Sequence, residues 1–210
     1  MSSETKARAR RTLEDIEEYY PPEAILEALE GKTGWSYKVN GDLYSLRDRA
    51  LVCVLYLCAL RVSEALRLRK VQFRIEEEKQ RVRVIGILLS KRKEYSRVKF
   101  REAWLPLASG SLQTPRQKMT RMVLEYINHI DANDRLFPFG RSRALQIVHS
   151  ISPKFWCHLF RALGENFLYD AWDHDMLAVS DFVKVDPRPL KSTFDEVMRS
   201  TDLFESHYAV

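Results

Sequence analysis

The sequence predicts an α+β fold, mostly helical, with one small three-stranded antiparallel sheet inserted early in the chain. Three observations carry that prediction. Apolar residues recur at helical spacing after residue 114, for example Met119, Met122, Val123, Tyr126, Ile127 and Ile130. Two stretches, Arg81 to Ser90 (RVRVIGILLS) and Arg97 to Leu107 (RVKFREAWLPL), are rich in β-branched and aromatic residues, and basic and apolar residues alternate in parts of both. The run Ala50 to Leu60 carries no charged residue and belongs in the middle of a core.

The elements follow in order. After a basic tail, Leu13 to Tyr19 and Pro22 to Leu29 read as short helices, with Thr12 and Pro22 as start signals. Gly31 to Asp42 holds three glycines and an Asn-Gly pair, which marks a loop. Ser45 can cap a long buried helix from Leu46 to about Leu60, and a second helix runs from Ser63 to about Leu68. Lys70 to Ile75 (KVQFRI) joins the two alternating stretches as a third strand, and Lys91 to Ser96 is the turn between the last two. Thr114 and Pro115 open the next helix, and LFPFG, Leu136 to Gly140, is a turn. Helices are then expected over Arg143 to His149, Pro153 to Tyr169, His174 to Val183 and Leu190 to Arg199.

The chain has 210 residues, 45% of them hydrophobic, enough for one sizeable core. Lys and Arg outnumber Asp and Glu by 34 to 29, a balance that permits a polyanionic partner without demanding one. Placement says more. Residues 1–11 hold four basic residues and one acid, among them Arg8, Arg10 and Arg11; Lys91 to Arg101 holds six basic residues against one acid, among them Arg92, Arg97 and Lys99. Cys53, Cys58 and Cys157 have no metal-ligand spacing and read as reduced core residues of a cytoplasmic protein. The apolar run Ala50 to Leu60 is about half of what a bilayer needs, and the charged N-terminus lacks an apolar signal segment, so no membrane association is expected.

Arg61 stands at the end of that run, in CALRVSEAL. Three roles are open to it. It can pair with Glu64 one turn away, it can cap the carbonyls of the preceding helix, or it can point into a cleft and hold an anion.

The segment Ser45 to Phe73, SLRDRALVCVLYLCALRVSEALRLRKVQF, resembles the tyrosine recombinases, or phage-type integrases. Their catalytic domains carry a helix of the form RDRAL-apolar-GLRVSEL-x-LR followed by a small sheet; here Ala59 replaces the usual glycine. The resemblance implies that catalytic-domain fold over residues 43–200, a short helical N-terminal segment and loop over 12–42, and tails over 1–11 and 201–210. Only about 40 residues precede the motif, so the chain is expected to be a catalytic fragment or a member that works without the family's N-terminal DNA clamp.

The resemblance also assigns site residues. Arg61 is the first of two arginines that hold the scissile phosphate, and the neighbouring glutamate stabilises the site. A lysine is expected in the turn between the second and third strands, where Lys91 and Lys93 are both candidates. A His-x-x-Arg pair is expected to open a later helix, and CHLFRAL offers His158 and Arg161. A three-residue spacing puts both on one helix face. An alternative alignment of ISPKFWC would place Lys154 and Cys157 there and erase both functional residues. The position before the Asp-Pro-Arg turn, usually His or Trp, reads Lys184 or Val185. In VDPRPLKSTFDEVM the nucleophile position holds Phe194, which keeps the packing of a tyrosine without its hydroxyl; Tyr169 lies too early and Tyr208 too late to replace it.

The implied function is site-specific DNA recombination or integration, as in mobile elements, through a 3′-phosphotyrosyl intermediate. The resemblance further implies that the nucleophile of this chain has been replaced or lost. The alternative is an inactive DNA-binding relative with a regulatory or architectural role. The implied partner is double-stranded DNA, with self-association on it, as tetramers in the family. No metal or cofactor is implied, and the five histidines, His129, His149, His158, His174 and His207, form no ligand pattern.

Overall fold

The structure is a computed structural model that describes residues 20–31, 41–90, 99–108, 110, 112–152 and 155–184. Helix α1 spans Pro22–Gly31, α2 Gly41–Leu57 and α3 Val62–Ala65. Three strands follow, β1 Phe73–Glu76, β2 Arg81–Leu88 and β3 Phe100–Pro106, and then four helices, α4 Pro115–Asn128, α5 Arg141–Ile151, α6 Cys157–Ala171 and α7 Met176–Val183. This is the α+β architecture that the sequence pattern predicts. The expected helices Leu13 to Tyr19 and Leu190 to Arg199, and the turn Lys91 to Ser96, lie outside the described residues.

Helix α2 is the axis of the molecule. Every residue from Ala50 to Leu60 is 1% exposed or less, because α4 and α6 pack against it and α1 and α5 complete the layer. A helical stretch that is apolar on every side, as Ala50 to Leu57 is, cannot lie at a surface without exposing a large hydrophobic area. The helix begins at Gly41, earlier than Leu46, and stops at Leu57, short of Leu60. The early stop has a local cause, since Ala59 adopts φ +47 and takes the backbone into the left-handed region.

The sheet has the order β1-β2-β3, antiparallel throughout. Val82 and Val84 on β2, and Arg101, Ala103 and Leu105 on β3, point inward, while Arg81, Arg83, Glu102 and Trp104 lie on the opposite, partly exposed face. Lys70–Gln72 form a single 3-10 turn, so the first strand starts at Phe73; the Val71 N–H is drawn off to the Ala132 carbonyl at 2.9 Å. An irregularity between Val84 and Ile87, with Gly86 at φ +64, lets both residues face inward and sets Ile87 opposite Arg101. The Gln72 side-chain amide fixes it by donating to the Ile85 and Gly86 carbonyls, each at 2.8 Å.

Helix α4 opens with the expected cap. The Thr114 hydroxyl accepts the Gln117 N–H at 3.3 Å, and Gln117 Oε1 accepts the Thr114 N–H at 2.9 Å. Among the described residues no helix is long and apolar enough to cross a membrane. All three cysteines are buried thiols without a disulfide; burial raises the pKa of Cys58 to about 12 and that of Cys157 to about 11.

Candidate functional site

Where α2 ends, the chain turns through Ala59 and Leu60 and starts α3 at Arg61, which takes the extended N-cap conformation (φ −69, ψ 146). Glu64, one turn on, folds back over this start. Its Oε2 accepts the Arg61 backbone N–H at 3.0 Å and its Oε1 accepts Arg61 Nη1 at 3.0 Å. The Glu64 side chain is wholly buried, while that of Arg61 keeps 19% of its surface open. Arg61 is therefore the rim of the site and Glu64 its floor.

Two more guanidiniums reach the same carboxylate. Arg161 comes from α6, 100 residues further along the chain, with Nη1 3.5 Å from Glu64 Oε2. Arg101 comes from β3 at 3.9 Å. The Ser90 N–H, at the exit of β2, donates to Glu64 Oε1 at 3.3 Å, and the Ser90 and Ser63 hydroxyls are 2.5 Å apart. Burial would push the Glu64 carboxyl up, but the Arg61 N–H and then Arg161, Arg101 and Arg61 outweigh it and hold the group below the ordinary carboxylate range. It is an anion at neutral pH.

Arg161 is only 2% exposed, and its Nη2 makes a 2.7 Å ionic contact with Glu165, one turn further on α6. Burial lowers the pKa of Arg161 and raises that of Glu165, each against the pull of the other. Arg101 is as deep, at 3% exposure; burial takes its pKa down to about 10 while Glu64 opposes the shift, so it too stays charged. Its Nη2 donates to the carbonyls of Cys58 at 2.8 Å and Ala59 at 2.9 Å, and its guanidinium carbon lies 5.5 Å from the centre of the Phe182 ring. Three cations and two carboxylates thus form one buried network that opens to solvent at Arg61.

The two sequence-predicted arginines, Arg61 and Arg161, meet over one carboxylate. His158 lies near the start of α6 but is exposed, whereas Arg161 is buried. A three-residue step turns a helix by about 60° from full register, which at the margin of the buried stripe separates inside from outside. Cys157, at the rival position, is buried one turn before Arg161, and its uncharged thiol offers a phosphate no cation. Lys184 caps α7 in the left-handed conformation (φ 54) and is 2.5 Å from Asp181 Oδ1. It lines a separate groove of about 480 Å³ with Trp104, Trp172 and Phe182, which touches the network only through Arg101. Lys99 is exposed just before β3, its carbonyl accepting the Leu89 N–H at 3.1 Å. Lys91, Lys93, Arg92, Arg97, Arg8, Arg10, Arg11 and Phe194 lie outside the described residues. Among the described residues no group of His, Cys, Asp and Glu could hold a metal ion.

Sequence reasoning missed Arg101, Glu165 and Ser90. The strand alternation held a signal for Arg101, which shares its inward phase with Ala103 and Leu105. Glu165 stands at i+4 from Arg161, the ordinary spacing of a helical ion pair. Nothing local marks Ser90, whose role depends on the sheet meeting α3.

No protein-family model matches the sequence, and no curated protein matches it. Solved structures do match in fold. The pre-cleavage complex of the XerH site-specific recombinase bound to difH substrate aligns with a TM-score of 0.59 at 16% identity, over 82% of this chain and 48% of that one. The post-cleavage XerH complex with palindromic difH aligns with a TM-score of 0.61, also at 16% identity, over 88% and 51%. The chain spans about half the length of these structures. Its fold is the one that the resemblance in Ser45 to Phe73 implies, that of a tyrosine recombinase catalytic domain.

Proposed function

We propose that this chain binds double-stranded DNA and that Arg61 and Arg161 together hold the phosphate at which a site-specific recombinase of this fold breaks a strand. The observation that carries the reading is the convergence of two guanidiniums, 100 residues apart, on Glu64. Phosphoryl transfer builds negative charge on the phosphate oxygens, and fixed bidentate donors are what that charge needs. Packing around Glu64 fixes the donors. The partly open Arg61 meets the phosphate first, and Arg161 stands behind it.

The remaining roles follow the chemistry. The exposed imidazole of His158 serves as hydrogen-bond donor or proton acceptor at the DNA-facing end of α6. A lysine of the β2–β3 turn protonates the leaving 5′-oxygen; of the two candidates we favour Lys91, because it directly follows Ser90, which is bonded to Glu64. Lys99, Arg92, Arg97 and the arginines of the basic tail contact neighbouring phosphates. Recombination joins two duplexes, so the reading includes self-association on DNA, in the cytoplasm or on the nucleoid.

In the sequence resemblance Phe194 aligns with the nucleophile. A phenyl ring has no oxygen to attack phosphorus, so the chain as it stands binds DNA without forming a covalent adduct. In Phe194→Tyr the phenol gives its proton to His158 as its oxygen attacks the phosphate, the 5′-oxygen leaves as a hydroxyl with the lysine proton, and a 3′-phosphotyrosyl bond remains. The test is a nicked duplex that traps the intermediate, analysed on a denaturing gel. The parent chain should shift the duplex in native gels and give no adduct, and Phe194→Tyr should give one. A Phe194→Tyr variant that binds DNA and never forms the adduct would favour the regulatory or architectural reading, which Phe194 itself motivates. Failure to bind any duplex at low salt would overturn both.

A further inference from the structure

We infer that Arg101 is a positioning residue for Arg61: it aims the phosphate-binding guanidinium from two sides without touching the phosphate. The inference rests on the reading of Arg61 given above. From the backbone side, Arg101 Nη2 holds the carbonyls of Cys58 and Ala59 at 2.8 and 2.9 Å. These belong to the turn that ends two residues before Arg61. Ala59 sits there at φ +47, a conformation that an alanine leaves unless something fixes it. From the partner side, Arg101 lies 3.9 Å from Glu64, the carboxylate that Arg61 grips through both its side chain and its own N–H. One guanidinium therefore sets both the origin of the Arg61 side chain and the anchor at its tip.

A purely structural role accounts poorly for what is there. Arg101 is 3% exposed, and its Nε and Nη1 find no hydrogen-bond acceptor among the described residues. Buried donors left unpaired weaken a fold, and an apolar side chain of the same volume often serves stability as well as a buried charge does. Two hydrogen bonds to a left-handed turn are what only a long, forked cation can make at this depth. The hydrogen bonds of Arg101 run to the backbone of the turn before Arg61, so what it does for DNA it does through Arg61.

The test is a mutant cycle on the full chain, read by fluorescence anisotropy with a short labelled duplex of mixed sequence over a series of salt concentrations. Arg61→Ala should weaken binding about ten-fold and take about one unit off the slope of log affinity against log salt. Arg101→Met should weaken binding by a similar factor of about three to ten, and Arg101→Lys by less, since an ammonium can still reach one carbonyl. In the Arg61→Ala background, Arg101→Met should add less than about two-fold, because the residue it aims is gone. Equal losses in both backgrounds, or wild-type affinity in Arg101→Met, would overturn the inference. Should circular dichroism show Arg101→Met unfolded, the same cycle is run with Arg101→Lys and judged by the same two outcomes. An Arg61→Ala variant that keeps wild-type affinity and salt slope would instead sink the phosphate reading of Arg61, and this inference with it.

Discussion

Without its carboxylate, Glu64 would leave Arg61, Arg101 and Arg161 facing one another around an uncharged floor. Breaking a buried ionic cluster by removing its shared partner typically costs about 3–5 kcal/mol, so Glu64→Ala should lower the urea midpoint by a large fraction of the whole transition. The pH dependence has a definite sign. The folded-state pKa of Glu64 lies below its unfolded value, so its stabilisation is complete above the unfolded pKa and disappears as pH falls through the folded one. Urea midpoints measured from pH 7 down to pH 3 should fall more steeply for the parent chain than for Glu64→Gln below about pH 4. Ala59 makes a second case. Replacing it by glycine relieves about 1 kcal/mol of left-handed strain but forfeits a buried methyl worth about 0.8 kcal/mol and adds unfolded-state entropy. Ala59→Gly should therefore melt close to the parent, and a large shift either way would show that one of these effects has been misjudged. At this scale the sequence was half legible. The Arg61–Glu64 spacing is that of an ordinary helical pair; that two further guanidiniums share the carboxylate depends on β3 and α6, which no local pattern relates.

Helix α6 crosses α2 at Gly164, where a Cβ would come within 2.2 Å of the Tyr56 carbonyl oxygen. Gly164→Ala gains about 1 kcal/mol in helix propensity and loses more, since the obstacle is backbone that cannot rotate away. The melting temperature should drop, and because the displaced helix carries Arg161, DNA affinity should drop with it. The second element-scale prediction concerns the β2 irregularity. Gly86→Val forces a β-branched residue into φ +64 and disturbs the register that delivers Ser90 to Glu64; amide hydrogen exchange should speed up along β2 and at Ser90 before it does in α2. Elements were the best-read level. The periodic face of α4, its Thr114 cap and the alternation in β2 and β3 act locally, so sequence alone carries them. Boundaries were less legible where a distant group decides, as when the Ala132 carbonyl takes the Val71 N–H and delays the first strand.

Across the whole molecule, the functional reading predicts binding dominated by phosphate contacts. Affinity for any duplex should fall steeply as salt rises, with a slope that counts the contacts at about 0.9 per phosphate. Deleting residues 1–11, with their four basic residues, should flatten that slope without disturbing the melting temperature. The chain spans about half of the solved recombinases that it resembles in fold. The global fold could be anticipated only because one thirty-residue signature and the position of a small sheet agreed; composition and periodicity alone would have stopped at a helical protein with a basic hairpin.

The Arg61–Glu64–Arg161 network has a last consequence. Three guanidiniums share two acidic groups, and the member of the network that keeps part of its surface open is a cation, Arg61. Such a core is electrostatically incomplete when empty, and any small oxyanion that lodges beside Arg61 completes it. Sulfate should consequently raise the melting point more than chloride at matched ionic strength, and the difference should shrink in Arg61→Ala to the general stabilisation that sulfate gives any fold.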